Sequence, residues 1–320
     1  MKCASLFAAA ITLGLAQSAS AQVVAGDSAV QNQWFTGTLE APSPALPEAG
    51  ILEVEPYAIW TRNHGAYDNS GTFHSAPNVD VLTSVTALKF GLTNRISIQA
   101  LPSISHVSNR LGHYTGIGDL PVEAEYRLSD ANNRTGFPSI TVAIGLTLPT
   151  GKYDRMQTAL GGFGSGAYSL KQQILLQSLF DTRGGHPMRF RAYAAVYEPI
   201  GKTSVTDIST YGTSQGFHGD AQPRFSATLG IGGGYAFDRR WVFAMDLVYK
   251  YADGFTVDGT DAMNVLVHLR SERRTTTSLA PALEYNISGK VGIIAGVDFS
   301  VAGHNSPAYF APQVAISVGF

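Results

Sequence analysis

Fourteen charged residues occur at alternate positions within apolar segments and are the first candidates for chemistry: Glu53, Glu55, Lys89, Glu123, Glu125, Arg127, Lys171, Arg189, Arg191, Arg224, Asp246, Lys250, Glu284 and Asp298. In "DLPVEAEYRL", for example, Glu123, Glu125 and Arg127 alternate with Val122, Ala124, Tyr126 and Leu128. Period-two spacing puts the charges on one face of a strand and the apolar side chains on the other. Seven of the fourteen are acidic and seven basic, so as a set they select weakly for ion charge. Groups of this kind can pair with one another or line a water-filled path.

Other chemistries have weaker signals. A nucleophilic hydrolase needs a serine beside a histidine that a third group orients. Of the eight histidines, His64, His74, His113, His186, His218 and His304 fall in predicted loops or turns, His106 at a strand end and His268 inside the stretch 253–275. None has a serine spaced as in the outer-membrane phospholipases. "PTGK" (149–152) lacks the upstream glycine of a phosphate loop, and "GGFGSG" (161–166) leads into a strand pattern, not a helix. "DGTDAMN" (258–264) lacks the closing glutamate of a calcium loop. The reading is a non-enzyme without cofactor or metal.

The elements that must position the fourteen charges are strands. No long amphipathic helix is visible, and alternation recurs in about twelve segments, near 51–62, 79–92, 95–108, 116–129, 137–149, 166–180, 187–199, 222–237, 240–252, 276–288, 290–303 and 308–320. The connections after the even-numbered segments from the second to the tenth are tight, such as "LTNR", "FDRR" and "ISGK". Those after the first, fifth, seventh and ninth are long and polar, including 150–165, 200–221 and 253–275. Tight turns at one end and long loops at the other, on an even strand count, predict an all-β transmembrane antiparallel up-and-down barrel.

Two further patterns agree. On the apolar faces, aromatics gather at strand ends: Phe90, Tyr126, Phe180, Phe190, Trp241 and Phe243 toward the tight turns, Trp60, Tyr168, Tyr249 and Phe310 toward the long loops. Two such belts mark two membrane interfaces. Charged residues make up only 14% of the chain, against about 25% in typical soluble domains. A net charge of −2 argues against a nucleic-acid partner.

The start of the chain reads as export. Lys2, the apolar stretch "SLFAAAITLGLA" and the Ala19-Ser20-Ala21 cleavage site predict a signal peptide over 1–21. Residues 22–50, with Pro42, Pro44 and Pro47, read as an irregular periplasmic leader, and 51–320 as the barrel. The single cysteine, Cys3, falls within the signal peptide, so no disulfide holds the remainder. Backbone groups in hydrocarbon must all be paired, so the sheet must close. The C-terminal "QVAISVGF" must then pair with the first strand, with Val314, Ile316 and Val318 facing lipid and Phe320 in the tight-turn aromatic belt.

With twelve strands the first faces the seventh across the lumen. Glu53 and Glu55 would then lie opposite Arg189 and Arg191, a transverse field of the kind that filters solutes. The competing expectation is that each charge pairs with a neighbour on the wall and the lumen is plugged.

"WFTGTLEAPSPALPEAGILEVEPYAIWT", "GIGDLPVEAEYRL" followed by "LTLPTGKYD", and the terminal "VAISVGF" resemble the outer-membrane transporter-like family named for the meta-cleavage pathway of phenol degradation. The resemblance spans most of the chain after residue 21. It implies a bacterial outer-membrane barrel that takes up small aromatic or hydrophobic compounds. The terminal phenylalanine resembles the signal that outer-membrane proteins present to the barrel-assembly machinery. The expected partners are therefore outer-membrane lipid, that machinery and a small-molecule solute. A structural or surface-interaction barrel without a conducting pore and an outer-membrane lipid hydrolase remain as alternatives.

Overall fold

Alternating apolar and polar residues form strands long enough to cross a bilayer. The computed structural model describes residues 33–110, 112–132 and 136–319. The strands are β1 (Leu52–Tyr67), β2 (Phe73–Thr93), β3 (Ile96–Ala100), β4 (Ser103–Asn109), β5 (Gly112–Ile117), β6 (Leu120–Ser129), β7 (Ser139–Leu148), β8 (Tyr168–Asp181) and β9 (Pro187–Ile200). They continue as β10 (Thr203–Thr206), β11 (His218–Pro223), β12 (Ser226–Ala236), β13 (Trp241–Ala252), β14 (Phe255–Thr260), β15 (Leu266–Arg270), β16 (Arg274–Asn286), β17 (Val291–His304) and β18 (Ser306–Gly319). β3 and β4 both pair with β2 and form one wall strand broken at Leu101 and Pro102; β5 and β6 form another, broken at Gly118 and Asp119. Counted this way the wall has twelve antiparallel strands. It closes where β1 pairs with both β2 and β18, from Glu53↔Gly319 to Tyr67↔Ser306.

The outer surface is the predicted apolar face. Leu82, Ile144, Ile174, Leu229, Leu247, Val314 and Ile316 are all exposed there. Phe90, Tyr126, Phe180, Phe190 and Trp241 stand out at the tight-turn end, and Trp60, Tyr168, Tyr249 and Phe310 at the other. An apolar band between two aromatic rims, on a sheet without ends in the band, places the chain in the bacterial outer membrane. The expected signal peptide (1–21) and Phe320 lie outside the described residues.

Three expectations about the connections change. The first hairpin is not a long loop: β1 and β2 stay paired to Tyr67↔Phe73 and turn within 68–72. Residues 200–221 and 253–275 are not free loops either. They contribute β10, β11, β14 and β15 to a separate four-stranded antiparallel sheet, built on Val205, Tyr211, Phe217, Ala221 and Val257. These strands are only four to six residues long, and their polar stretches hide the alternation. His64, His74, His113, His218, His268 and His304 accordingly lie in strands.

Candidate functional site: the occupied lumen

The inward face is where the sequence places its charges, and the structure buries them there. Glu53, Glu55, Lys89, Glu123, Glu125, Arg127, Lys171, Arg189, Arg191, Asp246, Glu284 and Asp298 are all buried, and Lys250 is half-buried. Arg224 is the exception: it sits exposed at the β11–β12 junction, where its N–H donates to the Gly254 carbonyl.

Pairing follows the rows of the sheet. Lys89, Gln99, Glu123, Gly145, Lys171 and Tyr197 are successive partners across β2, β3, β6, β7, β8 and β9. Within this row Lys171 Nζ reaches Glu123 Oε2 at 2.7 Å, and Lys89 Nζ reaches diagonally to Glu125 Oε2, in the next inward row, at 3.0 Å. Ser97 Oγ donates to the same Glu125 oxygen at 2.8 Å.

On the far wall the geometry depends on β12, whose inward positions are Gly230, Gly232, Gly234 and Ala236. Long side chains from β9 and β13 lie across this strip. A Cβ at Gly230 would meet the Tyr193 ring at 2.2 Å, and one at Gly232 would meet Asp246 Oδ1 at 2.1 Å. Arg189 crosses the strip to pair with Glu284 on β16. Arg191 Nε donates to Gln177 Oε1 at 2.7 Å.

Another segment of the chain also enters the lumen. Residues 33–48 do not sit outside the barrel as a periplasmic leader would. They carry no helix or strand and arch through the lumen. At the rim the Arg239 guanidinium carbon lies 4.0 Å from the centre of the Trp34 ring, and Gln33 donates to the Arg239 carbonyl. The Thr36 N–H then donates to Glu284 Oε2 at 2.8 Å, while Thr36 Oγ1 donates to Asn286 Oδ1. At the crest the Glu40 N–H donates to Asp246 Oδ2 at 2.9 Å, Gln313 donates to Glu40 Oε1, and Lys250 Nζ is 3.9 Å from Glu40. The Ala41 carbonyl accepts from Arg191 at 3.0 Å, and the Pro44 carbonyl accepts from Arg127 and from Thr141. The segment returns to the tight-turn rim at the β2–β3 turn, where the Gly50 N–H donates to the Gly91 carbonyl.

Two features make this docking fit. The wall has glycine where the segment comes closest: a Cβ at Gly292 would lie 1.7 Å from Thr36 Oγ1, and one at Gly296 would lie 2.6 Å from Leu39 Cδ1. Leu39 is fully buried in an apolar cluster with Tyr57, Val85, Ala87, Leu101, Ala280, Ala282, Ile294 and Ala315. Charged and apolar side chains thus alternate along the same strands, Glu55 beside Tyr57 and Glu284 beside Ala282, and the segment meets both.

With that geometry in view, the known proteins can be compared. No family model matches the chain. No curated protein matches it either. Among solved structures it superposes on the COG4313 outer-membrane channel from Pseudomonas putida F1 with a TM-score of 0.62 at 18% identity, covering 86% of this chain and 97% of that one. What the two chains share is the fold of an outer-membrane β-barrel. The toluene transporter TbuX of Ralstonia pickettii is a more distant match, with a TM-score of 0.44 at 11% identity over 92% and 98% of the two chains.

The side-chain hydrogen bonds of the histidines go to Asp68, Asp258, Thr115, Thr275 and the Ala236 carbonyl. Among the described residues no three His, Cys, Asp or Glu side chains form a group able to hold a metal. In "DGTDAMN", Asp258 faces His268, and Asp261 Oδ1 accepts the N–H groups of Met263 and Val265, so the stretch is a hairpin turn.

Several residues of the site carry no charge and so escaped a search for charges. Gln99, Gln177 and Gln313 share the inward parity and could have been found by it. Glu40, Thr36 and Leu39 belong to a segment with no period to read.

Proposed function

We propose that the chain is a plugged outer-membrane channel for small aromatic or hydrophobic solutes, with residues 33–48 as the removable closure of its tight-turn half. The observation that carries this reading is the way the segment is held. Its backbone is bound by wall side chains, Glu284, Asp246, Arg191, Arg127 and Thr141, and not by strand pairing. Such hydrogen bonds contribute about 0.5–1.5 kcal/mol each, rising to ~3 when one partner is charged, and water can replace them. The segment can therefore leave without breaking the wall, whereas a structural staple would be expected to join the sheet.

Once it leaves, polar and apolar side chains line the path together. The polar ones are Glu53, Glu55, Glu123, Glu125, Arg127, Lys171, Arg189, Arg191, Asp246, Lys250, Glu284 and Asp298. Tyr57, Val85, Ala87, Leu101 and Ile294 form the apolar patch that Leu39 now covers. A mixed lining suits a solute with an aromatic or aliphatic body and a polar group. The test is uptake of a labelled aromatic solute at limiting concentration, by cells with and without the chain. Faster uptake with the chain supports the reading; equal uptake favours a barrel with a structural role.

A further inference from the structure

Among the described residues, β5 leaves an edge of the wall without a partner strand at the long-loop end. β5 pairs with β4 and ends the order of the sheet. Its other neighbour would be a continuation of β7, but β7 stops at Leu148, opposite Leu120. The Gly118 N–H donates to the Ser103 carbonyl. By antiparallel alternation, Tyr114 and Gly116 also turn their backbone groups toward β4, and Thr115 and Ile117 turn theirs to the free edge.

The chain after β7 borders this edge without pairing to it. Asp119, at the β5–β6 break, pins both limbs of the connection: one carboxylate oxygen accepts the Gly151 N–H at 3.0 Å, and the other accepts the Ser165 N–H at 2.7 Å. Between the limbs and β5 is a cleft of about 700 Å³ lined by Tyr114–Ile117, Thr150–Gln157, Gly161 and Phe163. This volume falls within the range of small-molecule sites. Four consecutive strand residues alternate between faces, so a cleft lined by all four runs along the strand's edge.

The lining has a definite chemistry. The Phe163 ring lies over Gly116, where a Cβ would meet it at 2.3 Å, and Tyr114 lies against Gly161. Tyr153 adds a third half-buried ring and Met156 a buried thioether. Lys152 and Arg155 are exposed at the mouth, and Arg155 is held at a φ of +49°. The one carboxylate in the lining, Asp154, accepts the Thr206 N–H at 3.1 Å and is 4.0 Å from the Arg155 guanidinium. Rings to stack on, backbone N–H groups turned to the strand edge and two exposed cations beside one engaged carboxylate favour a planar ring bearing a negative charge.

The geometry points to this cleft as a binding site for a small aromatic carboxylate, captured at the rim before it enters the lumen. The delivery role rests on the channel reading; the existence of the site does not.

Calorimetric titration of the full detergent-solubilised chain with benzoate tests it, with cyclohexanecarboxylate and benzyl alcohol as comparisons. The expected result is saturable benzoate binding, with each comparison weaker by about tenfold or more, because one lacks the ring and the other the charge. Phe163→Ala should weaken benzoate by a similar factor. The double variant Lys152→Gln, Arg155→Gln alters exposed side chains only and should do the same while leaving the fold intact. Absence of saturable binding, or binding that neither variant changes, would overturn the site. Benzoate binding that follows these variants in a chain that conducts nothing even with its plug removed would sustain the site and sink the channel reading.

Discussion

Lys171 Nζ lies 2.7 Å from Glu123 Oε2, although their strands are not neighbours: β7 runs between them, and Gly145 is the residue they reach across. A Cβ at Gly145 would sit 2.8 Å from the Glu123 Cβ. The glycine is therefore what lets a cation and a carboxylate meet over an intervening strand. Both side chains are almost fully withdrawn from solvent.

Removing one member of a desolvated pair is costly because the other loses its counter-charge. Lys171→Ala should destabilise the barrel by about 3–5 kcal/mol. The double variant Lys171→Ala, Glu123→Ala should cost less than the sum of the two single changes. Urea unfolding in detergent, read by the heat-modifiable gel shift, measures the cycle. Additive costs would mean that the two groups do not depend on each other.

The closing strand gives a second expectation. β18 pairs with β1 on one side and β17 on the other, through Gly319 and Val318. Deleting residues 313–320 strips half of both ladders and leaves unpaired backbone groups at membrane depth, each costing several kcal/mol. No heat-modifiable barrel should appear in the outer membrane. Normal assembly of the truncated chain would show that closure does not need this strand.

How much of this was legible in the sequence follows from what has a period. Val314 and Ile316 could be assigned to lipid, and Glu123 and Glu125 to the lumen, because each position in a strand has only two faces to choose from. The closure of β18 on β1 then followed from the need to pair every backbone group. The plug could not be read this way. Thr36 and its partner Glu284 are 248 residues apart, and an irregular segment binds through whichever backbone groups the wall happens to face. The glycines of "GIGGGY" in β12 carry no side chain to read; they are the space occupied by Tyr193, Arg189 and Asp246. β10, β11, β14 and β15 were too short and too polar on both faces to stand out from loop.

The first hairpin supplies a pH test outside the membrane. The Asp68 carboxylate accepts from Ser70 Oγ at 2.7 Å, lies 2.8 Å from His74 Nε2, and accepts the Ser70 and Thr72 N–H groups at 2.8 and 2.9 Å. These bonds, the Ser70 hydroxyl foremost, hold its pKa well below the usual carboxylate value. A depressed pKa means that the turn is stabilised above the ordinary carboxylate range and loses that contribution as pH falls toward the folded value. Amide protection of residues 68–72, corrected for intrinsic exchange, should hold from neutral pH down to about 4 and decline only in stronger acid. Asp68→Asn should remove this dependence. A decline centred near the usual aspartate value would contradict the cap.

The most direct test of the plugged channel is single-channel recording in planar bilayers, comparing the wild-type chain with one lacking residues 33–48 but keeping residues 1–32, after heat-modifiability has shown that both are folded. The account predicts little steady conductance from the wild type and a stable open level from the deletion. It also predicts intermediate opening from Leu39→Asp, which places a charge in the apolar cluster. Equal conductance from wild type and deletion would show that the segment does not close the lumen.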